Sequence, residues 1–149
     1  MSNAPVSFAT TLHVRDHCLC LHAQRAARAL ARRFDAALAP LGLTSGQFSL
    51  LMSLNRPDLP TLGSVAELLA MDRTTLTANL KPLQRRGLVD VAVDARDRRG
   101  RRLSLTNAGR DVLAAAAPVW RRTHDVVDAE LSAAEVDGTA LRAGMRAVR

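Results

Sequence analysis

Residues 61–106 read TLGSVAELLAMDRTTLTANLKPLQRRGLVDVAVDARDRRGRRLSLT and contain the clearest periodic pattern in the chain. Thr61 is a good N-cap, because its hydroxyl can accept a free backbone N–H of a first helical turn. After it, apolar residues recur at the spacing of one helix face: Leu62, Val65, Ala66 and Leu69. Asp72 is a second N-cap candidate. The helix that it would open has one apolar side, formed by Leu76, Leu80 and Leu83. The stretch therefore predicts two short helices joined by a tight turn.

The other faces of the second predicted helix are small, polar and able to hydrogen-bond. They carry the candidate DNA-binding residues Arg73, Thr74, Thr75, Thr77, Asn79 and Lys81. A recognition helix in the major groove uses its N-terminal residues to contact base edges and phosphates. The alternative is an ordinary solvated face, because amphipathic helices usually carry polar residues there. The segment that follows favours the first interpretation.

A β-hairpin is predicted after the second helix. Val89, Val91 and Val93 alternate with Asp90 and Ala92, and Leu103 and Leu105 alternate with Ser104 on the return. The intervening turn, ARDRRGRR at 95–102, supplies the candidate wing residues Arg96, Asp97, Arg98, Arg99, Arg101 and Arg102. So much repulsive positive charge is typical of a segment that neutralises phosphates or enters a narrow minor groove. We expect Asp97 to pair with a neighbouring arginine and to hold the tip in shape. The pattern indicates a mainly α fold with a small β-hairpin wing, a winged helix-turn-helix.

Composition places the chain among single-domain proteins with acidic partners. Its 149 residues are 48% hydrophobic, enough for one core, and its net charge is +7. Lys81 is its single lysine, so arginine, the preferred residue for phosphate and base contacts, supplies nearly all the positive charge. We see no signal peptide and no apolar run of about 20 residues, which predicts a cytoplasmic protein without a membrane partner.

Long helices are predicted on both sides of the winged segment. The first runs from about Asp16 to Ala39, after a loose tail that reaches about Thr11, and buries Ala23, Ala27, Leu30, Phe34 and Leu38. A capping box at Thr44–Gln47 opens a shorter helix at Ser45. Beyond the hairpin, Thr106 caps a helix from Asn107 to about Glu130, in which Pro118 is expected to introduce a kink. A second capping box, Ser132–Glu135, predicts a last helix that reaches about Val148.

A winged core does not need these extra helices for its own fold. We therefore interpret residues 1–149 as one domain, in which residues 12–43 and 107–149 form dimerisation helices and residues 44–106 form the DNA-binding lobe. The alternative is that the flanking helices close the core of a monomer.

With these features together, the chain resembles the MarR family of bacterial transcriptional regulators. The matching motifs are residues 62–69 with Glu67, MDRTTLT at 71–77, LQRRGLV at 83–89, Asp97-Arg98-Arg99, and LTNAG at 105–109. The resemblance implies a homodimer that binds double-stranded DNA, as a repressor or an activator, without a cofactor. Two-fold symmetry would place two recognition helices about 34 Å apart on a pseudo-palindromic operator. The resemblance also implies a pocket for a small aromatic or anionic effector between the dimerisation helices and the DNA-binding lobe.

Two residues of the second helix depart from the family pattern. Ala78 stands where family members often carry an arginine, so base contacts would depend more on its neighbours. Pro82 lacks an N–H and is expected to bend or loosen the helix.

The cysteines suggest a redox hypothesis. Cys20 lies roughly where the peroxide-sensing cysteine lies in one branch of the family, but the chain has no tyrosine to help hold a thiolate. On a continuous helix Cys20 would share the buried face and Cys18 would point about 200° away, which would prevent a disulfide between them. The alternative is that Cys20, like most buried free cysteines, simply packs as a small hydrophobe. Neighbouring histidines lack the spacing of a strong zinc site, so no metal is predicted.

Two other functional classes compete with a regulator. An enzyme is disfavoured, because the sequence offers no Ser/His/Asp grouping, phosphate-cradling glycine loop or paired carboxylates. A nonspecific architectural DNA-binding protein or a membrane-surface protein would need only charge, and this class stays the alternative.

Overall fold

The fold is mainly helical with one small sheet. The computed structural model describes residues 5–148, and all statements below refer to them. The helices are α1 (Phe8–His17), α2 (Leu19–Leu38), α3 (Ser45–Leu54), α4 (Leu62–Leu68), α5 (Arg73–Arg85), α6 (Asn107–Ala133) and α7 (Gly138–Ala147), with a 3₁₀ turn at Ala39–Leu41. The strands are β1 (Val89–Val93) and β2 (Arg101–Leu105), paired antiparallel. The predicted fold class is confirmed.

The core of the winged lobe is built from the predicted apolar faces. Val65 of α4 and Leu76 and Leu83 of α5 are fully buried, together with Leu51 of α3 and Leu103 of β2. The caps that start these helices are the predicted ones. Thr61, Asp72 and Thr106 each accept a backbone N–H three residues later, and Thr44 and Gln47 form the capping box of α3. Helix α5 continues past Pro82 to Arg85, and α6 continues past Pro118.

The hairpin is buried at its base and exposed towards its tip. Val89 pairs with Leu105 and both are buried, whereas Val93 pairs with Arg101 and is 55% exposed. The predicted inward alternation of valines therefore ends at Val91, because the strands extend past the core into solvent. The arginine-rich turn is thus held away from the body of the lobe.

The first long helix was predicted wrongly as continuous. Helix α1 begins at Phe8, where the sequence indicated a tail, and Ser7 caps it by accepting the Thr10 N–H. Residues 1–4 of the predicted tail lie outside the described residues. Cys18 separates α1 from α2 with an extended backbone, and its Sγ accepts the Leu21 N–H at 3.4 Å. Cys18 acts as the N-cap of α2, and the periodicity of apolar residues does not predict such a cap.

The start of the last helix was also predicted wrongly. Ser132 belongs to α6, which ends at Ala133, and α7 begins at Gly138. The cap is Asp137, whose carboxylate accepts the N–H groups of Thr139 and Ala140. A carboxylate at a helix N-terminus also interacts favourably with the helix dipole.

The long helices leave apolar surface uncovered. Helix α2 packs against α6, where the ring centroids of Phe34 and His124 are 6.0 Å apart, but Ala23, Ala27 and Leu30, which were predicted to be buried, are exposed in the single chain. Exposed large apolar side chains also lie on α1, α6 and α7, among them Phe8, Val14, Val126 and Met145. Within residues 5–148, no helix taken singly has the length and apolar character to cross a membrane; only the bent pair Leu19–Leu41 and Ser45–Leu54 meets both criteria jointly.

Candidate nucleic-acid interface

The first turn of α5 is fixed by its cap. The Asp72 carboxylate accepts two hydrogen bonds from Thr75. The Thr75 hydroxyl donates to Oδ2 at 2.7 Å, and the Thr75 backbone N–H donates to Oδ1 at 2.8 Å. These hydrogen bonds hold the pKa of Asp72 below its ordinary value, and the bond from the Thr75 hydroxyl has the larger effect. The Thr75 hydroxyl, a predicted DNA contact, is therefore already engaged within the helix cap.

The predicted recognition residues divide between two faces of α5. One face forms a shallow depression of about 340 Å³ lined by Arg73, Thr74, Thr77, Ala78 and Lys81, all of them exposed. Asn79 instead approaches Met71, with 3.7 Å between its Nδ2 and the Met71 Sδ, and lines a separate depression with Gln47 and Pro82. Four of the six predicted residues thus share one exposed face.

Ala78 lies among the residues of this exposed face. Because alanine ends at Cβ, the depression is open at the position where the family often has an arginine. Thr77 is partly engaged, since its hydroxyl donates to the Arg73 carbonyl at 2.7 Å. Arg73, Thr74 and Lys81 are the α5 side chains best placed to reach a ligand.

The wing presents four exposed arginines on one tight turn. Arg96, Arg98 and Arg99 lie in the turn, and Arg101 begins β2. The Arg101 guanidinium donates to the carbonyl oxygens of Arg98 and Gly100, at 3.3 and 3.1 Å. The positive charge is concentrated at the end of the hairpin that projects from the lobe.

The expected arginine side-chain partner of Asp97 was wrong, whereas its expected role in holding the tip in shape is confirmed. Its Oδ1 accepts the Arg99 backbone N–H at 2.9 Å, which shapes the turn, rather than an arginine side chain. The carboxylate that pairs with an arginine is Asp94, whose Oδ2 accepts the Arg102 Nε at 2.9 Å. Asp94 was not among the predicted site residues, because it follows the last residue of β1 and resembles an ordinary turn aspartate.

Arg102 differs from the other wing arginines. Its side chain is half-buried, and besides its bond to Asp94 it donates to the Leu59 carbonyl oxygen at 2.8 Å. The structure therefore separates Arg102, predicted as a DNA contact, from the exposed arginines at the tip.

A cavity of about 430 Å³ lies between α3, α4 and α6. Its lining is mostly apolar: Phe48, Ser49, Met52, Ser53, Leu68, Leu69, Ala117, Trp120 and Arg121. The rings of Phe48 and Trp120 are stacked with centroids 6.1 Å apart. An aromatic wall with one guanidinium suits a flat anion of small size.

The cysteines lie on α2 and just before it. Cys20 is exposed, not buried as expected, and its Sγ accepts the Gln24 Nε2–H at 3.3 Å. Cys18 is half-buried, and because it lies outside α2 the geometric argument from a continuous helix does not apply. No group of three or more His, Cys, Asp or Glu side chains in residues 5–148 is arranged to hold a metal ion.

The fold and the arginine-rich hairpin define a winged helix-turn-helix protein. The sequence profile of the MarR family matches residues 41–100. The chain is 38% identical to the Mycobacterium tuberculosis transcriptional regulator MosR in its crystal structure with DNA, with a TM-score of 0.79 and coverage of 89% of this chain and 93% of that one. It is 26% identical to the PcaV regulator of Streptomyces coelicolor bound to its natural ligand, with a TM-score of 0.78 and coverage of 97% and 96%.

A further relative is the transcriptional activatory protein BadR of Rhodopseudomonas palustris, 38% identical over 74 residues. That match spans 48% of this chain and 42% of BadR. The chain belongs to the MarR family, and it is a DNA-binding transcriptional regulator. The family and these relatives are regulators rather than enzymes.

Proposed function

We propose that the chain acts as a homodimer that binds a pseudo-palindromic operator and is modulated by a small molecule or an oxidant. Residues 12–43 and 107–149 would form the dimer and residues 44–106 the DNA-binding lobe. Repression is the simpler outcome, since a bound dimer needs only to cover a promoter, whereas activation needs a further surface for the polymerase. Because its target is chromosomal DNA, we place the protein in the cytoplasm.

The observation that carries this proposal is the wing. Arg96, Arg98, Arg99 and Arg101 are exposed together on one projecting turn, where their mutual repulsion is unfavourable unless an anion approaches. A DNA backbone supplies such an anion, and release of its counterions drives binding. The exposed face of α5 with Arg73, Thr74, Thr77 and Lys81 would read the adjacent major groove, with Thr75 and Asn79 in supporting positions.

The homodimer is supported by the uncovered apolar surface of the long helices. Leu30 of α2, Leu131 of α6, and Leu141 and Met145 of α7 line a groove of about 320 Å³. Contiguous apolar surface of this kind marks a protein contact. A two-fold axis through it would pair two winged lobes with the spacing of successive major grooves.

The experiment that tests the proposed function compares DNA sites. Genome-wide mapping of bound sites supplies an operator duplex, and titration at fixed salt compares it with random duplex of equal length. We expect operator binding to be tighter by roughly 1,000-fold or more, with two chains per duplex. Equal affinity for both duplexes would support the nonspecific architectural alternative and reject the regulator with an operator.

The effector is proposed to be a small aromatic carboxylate in the cavity beside Trp120. We expect 4-hydroxybenzoate to quench the fluorescence of Trp120, the single tryptophan of the chain. Substituting Arg121→Ala is expected to weaken this binding about tenfold, because a charge-assisted hydrogen bond is lost. Arg122→Ala is the matched control, since Arg122 is exposed on the same helix but outside the cavity lining. Equal quenching curves for Arg121→Ala and the unmodified protein would contradict the assignment.

The oxidant hypothesis depends on Cys20, with Cys18 as its possible partner. Its thiol is exposed, so a peroxide can reach it. If Cys20 is the sensor, Cys20→Ser is expected to abolish peroxide-induced release from the operator, measured by fluorescence anisotropy. Cys18→Ser tests whether Cys18 is that partner, because it removes the other of the two cysteines in the sequence. Release that persists in Cys20→Ser would reject a sensor based on this residue.

A further inference from the structure

We propose that Asp94 and Arg102 form a positioning pair that holds the wing in its DNA-binding shape, and that Arg102 does not itself contact DNA. The inference rests on the proposed docking of the wing onto DNA. It assigns a role to Asp94, which was not among the predicted site residues, and changes the role expected of Arg102.

Asp94 closes the turn that carries the exposed arginines. It is 8% exposed, between the exposed residues Val93 and Ala95. Its N–H donates to the Gly100 carbonyl oxygen at 3.1 Å, and its Oδ1 accepts the Arg96 N–H at 3.0 Å. Asp94 therefore connects both sides of the turn through its backbone N–H and its carboxylate.

Arg102 connects the same carboxylate to the body of the lobe. Its Nε donates to Asp94 and its Nη1 to the carbonyl oxygen of Leu59, in the loop between α3 and α4. Next to it, the Leu103 N–H donates to the Pro60 carbonyl oxygen at 3.0 Å. With two of its donor groups engaged and its side chain half-buried, Arg102 is placed to anchor the hairpin.

The turn is compact enough for this pair to determine its shape. A Cβ on Gly100 would lie 3.3 Å from the Asp94 Cβ and 3.2 Å from the Asp97 carbonyl oxygen. Arginines held close together repel each other, so a turn without the buried negative charge would open. A preformed turn lowers the ordering cost of DNA binding, which is how the pair would act on affinity.

The proposal and simple electrostatics predict opposite changes in DNA affinity when Asp94 is neutralised. Asp94→Asn makes the protein more positive, and charge alone would tighten its binding to DNA. If Asp94 positions the wing, the same substitution weakens binding, because the carboxylate can no longer hold Arg102 and the turn. Asp90→Asn is the matched control: Asp90 is exposed on β1 of the same hairpin, so the charge changes equally.

The experiment measures operator affinity of the full-length protein over a range of salt concentrations. We expect Asp94→Asn and Arg102→Ala each to weaken binding roughly tenfold. The salt slope, which is the slope of log affinity against log salt concentration, is expected to stay unchanged for both variants. Arg99→Ala, by contrast, is expected to lower the slope by about one, as for a lost phosphate contact. Asp90→Asn is expected to bind as tightly as the unmodified protein, or more tightly.

Adding Asp94→Asn to a variant that already lacks two wing arginines separates a positioning role from general loss of folding. In a background with Arg98→Ala and Arg99→Ala, Asp94→Asn is expected to cost less than about threefold, because two of the four exposed arginine side chains that it positions are absent. A full tenfold loss in that background would overturn the proposal in favour of a purely structural role. Unchanged or tighter binding of Asp94→Asn alone, or a salt slope for Arg102→Ala that falls as for Arg99→Ala, would also overturn it. An unchanged slope for Arg99→Ala would reject the docking of the wing itself.

Discussion

Replacing both Arg98 and Arg99 with alanine is expected to weaken operator binding by roughly 10- to 100-fold at physiological salt and to lower the salt slope by about two. Both residues lie in the exposed turn of the wing, and neither side chain is needed for the hydrogen bonds that shape it, since those use the backbone of Arg98 and Arg99. The loss of two phosphate or minor-groove contacts is therefore the main effect on affinity.

The control for this prediction changes the same charge elsewhere. Arg25→Ala with Arg28→Ala also takes the net charge from +7 to +5, but on the exposed side of α2. We expect this pair to leave the slope nearly unchanged, because both residues lie outside residues 44–106, the proposed DNA-binding lobe. If both double variants lose affinity and slope equally, the protein binds DNA through diffuse charge, and the wing has no special role.

The winged lobe follows closely from local sequence. Thr61, Asp72 and Thr106 were identified as caps and the structure confirms each, because a cap depends on residues within one helical turn. The apolar stripes of α4 and α5 were also predicted correctly, since helical spacing within each short segment identifies the residues on its buried side. Family membership, first indicated by motif order, is confirmed by the comparisons.

What the sequence did not reveal depends on longer-range contacts. Arg102 meets Leu59, 43 residues earlier in the chain, and no local pattern marks that pairing. The break before α2 depends on a cysteine acting as a cap, an uncommon choice. The exposure of Cys20 and Leu30 depends on how much of α2 the rest of the chain covers, and one chain covers less of it than periodicity alone suggests.

The largest effect on stability is expected at Gly109, in the first turn of α6. A Cβ there would lie 2.1 Å from the Leu88 carbonyl oxygen and 3.0 Å from its carbon. Both atoms belong to the backbone, so no side-chain rotation can relieve the contact. The same Leu88 oxygen accepts the Thr106 N–H at 3.1 Å, which ties the start of α6 to the entry of β1. To admit a methyl group, α6 must move away from the base of the hairpin.

Gly109→Ala is therefore expected to lower the free energy of unfolding by roughly 3 kcal/mol, the upper part of the range for overpacking a core. The gain of about 1 kcal/mol that alanine usually brings to a helix is too small to reverse this. At this chain length the change corresponds to a fall in melting temperature of roughly 6–12 °C, measurable by circular dichroism.

Gly46→Ala provides the control, because Gly46 is exposed in α3 and its Cβ would meet only the Thr44 Oγ1, at 3.9 Å. Here the reduced freedom of the unfolded chain is expected to dominate and to stabilise the protein by about 0.4–1 kcal/mol. Opposite shifts of the two variants would show that the glycine of LTNAG is required by the close approach of α6 to the hairpin. A melting temperature for Gly109→Ala at or above that of the unmodified protein would contradict this explanation and imply that α6 and β1 are less tightly joined than the contact at Leu88 indicates.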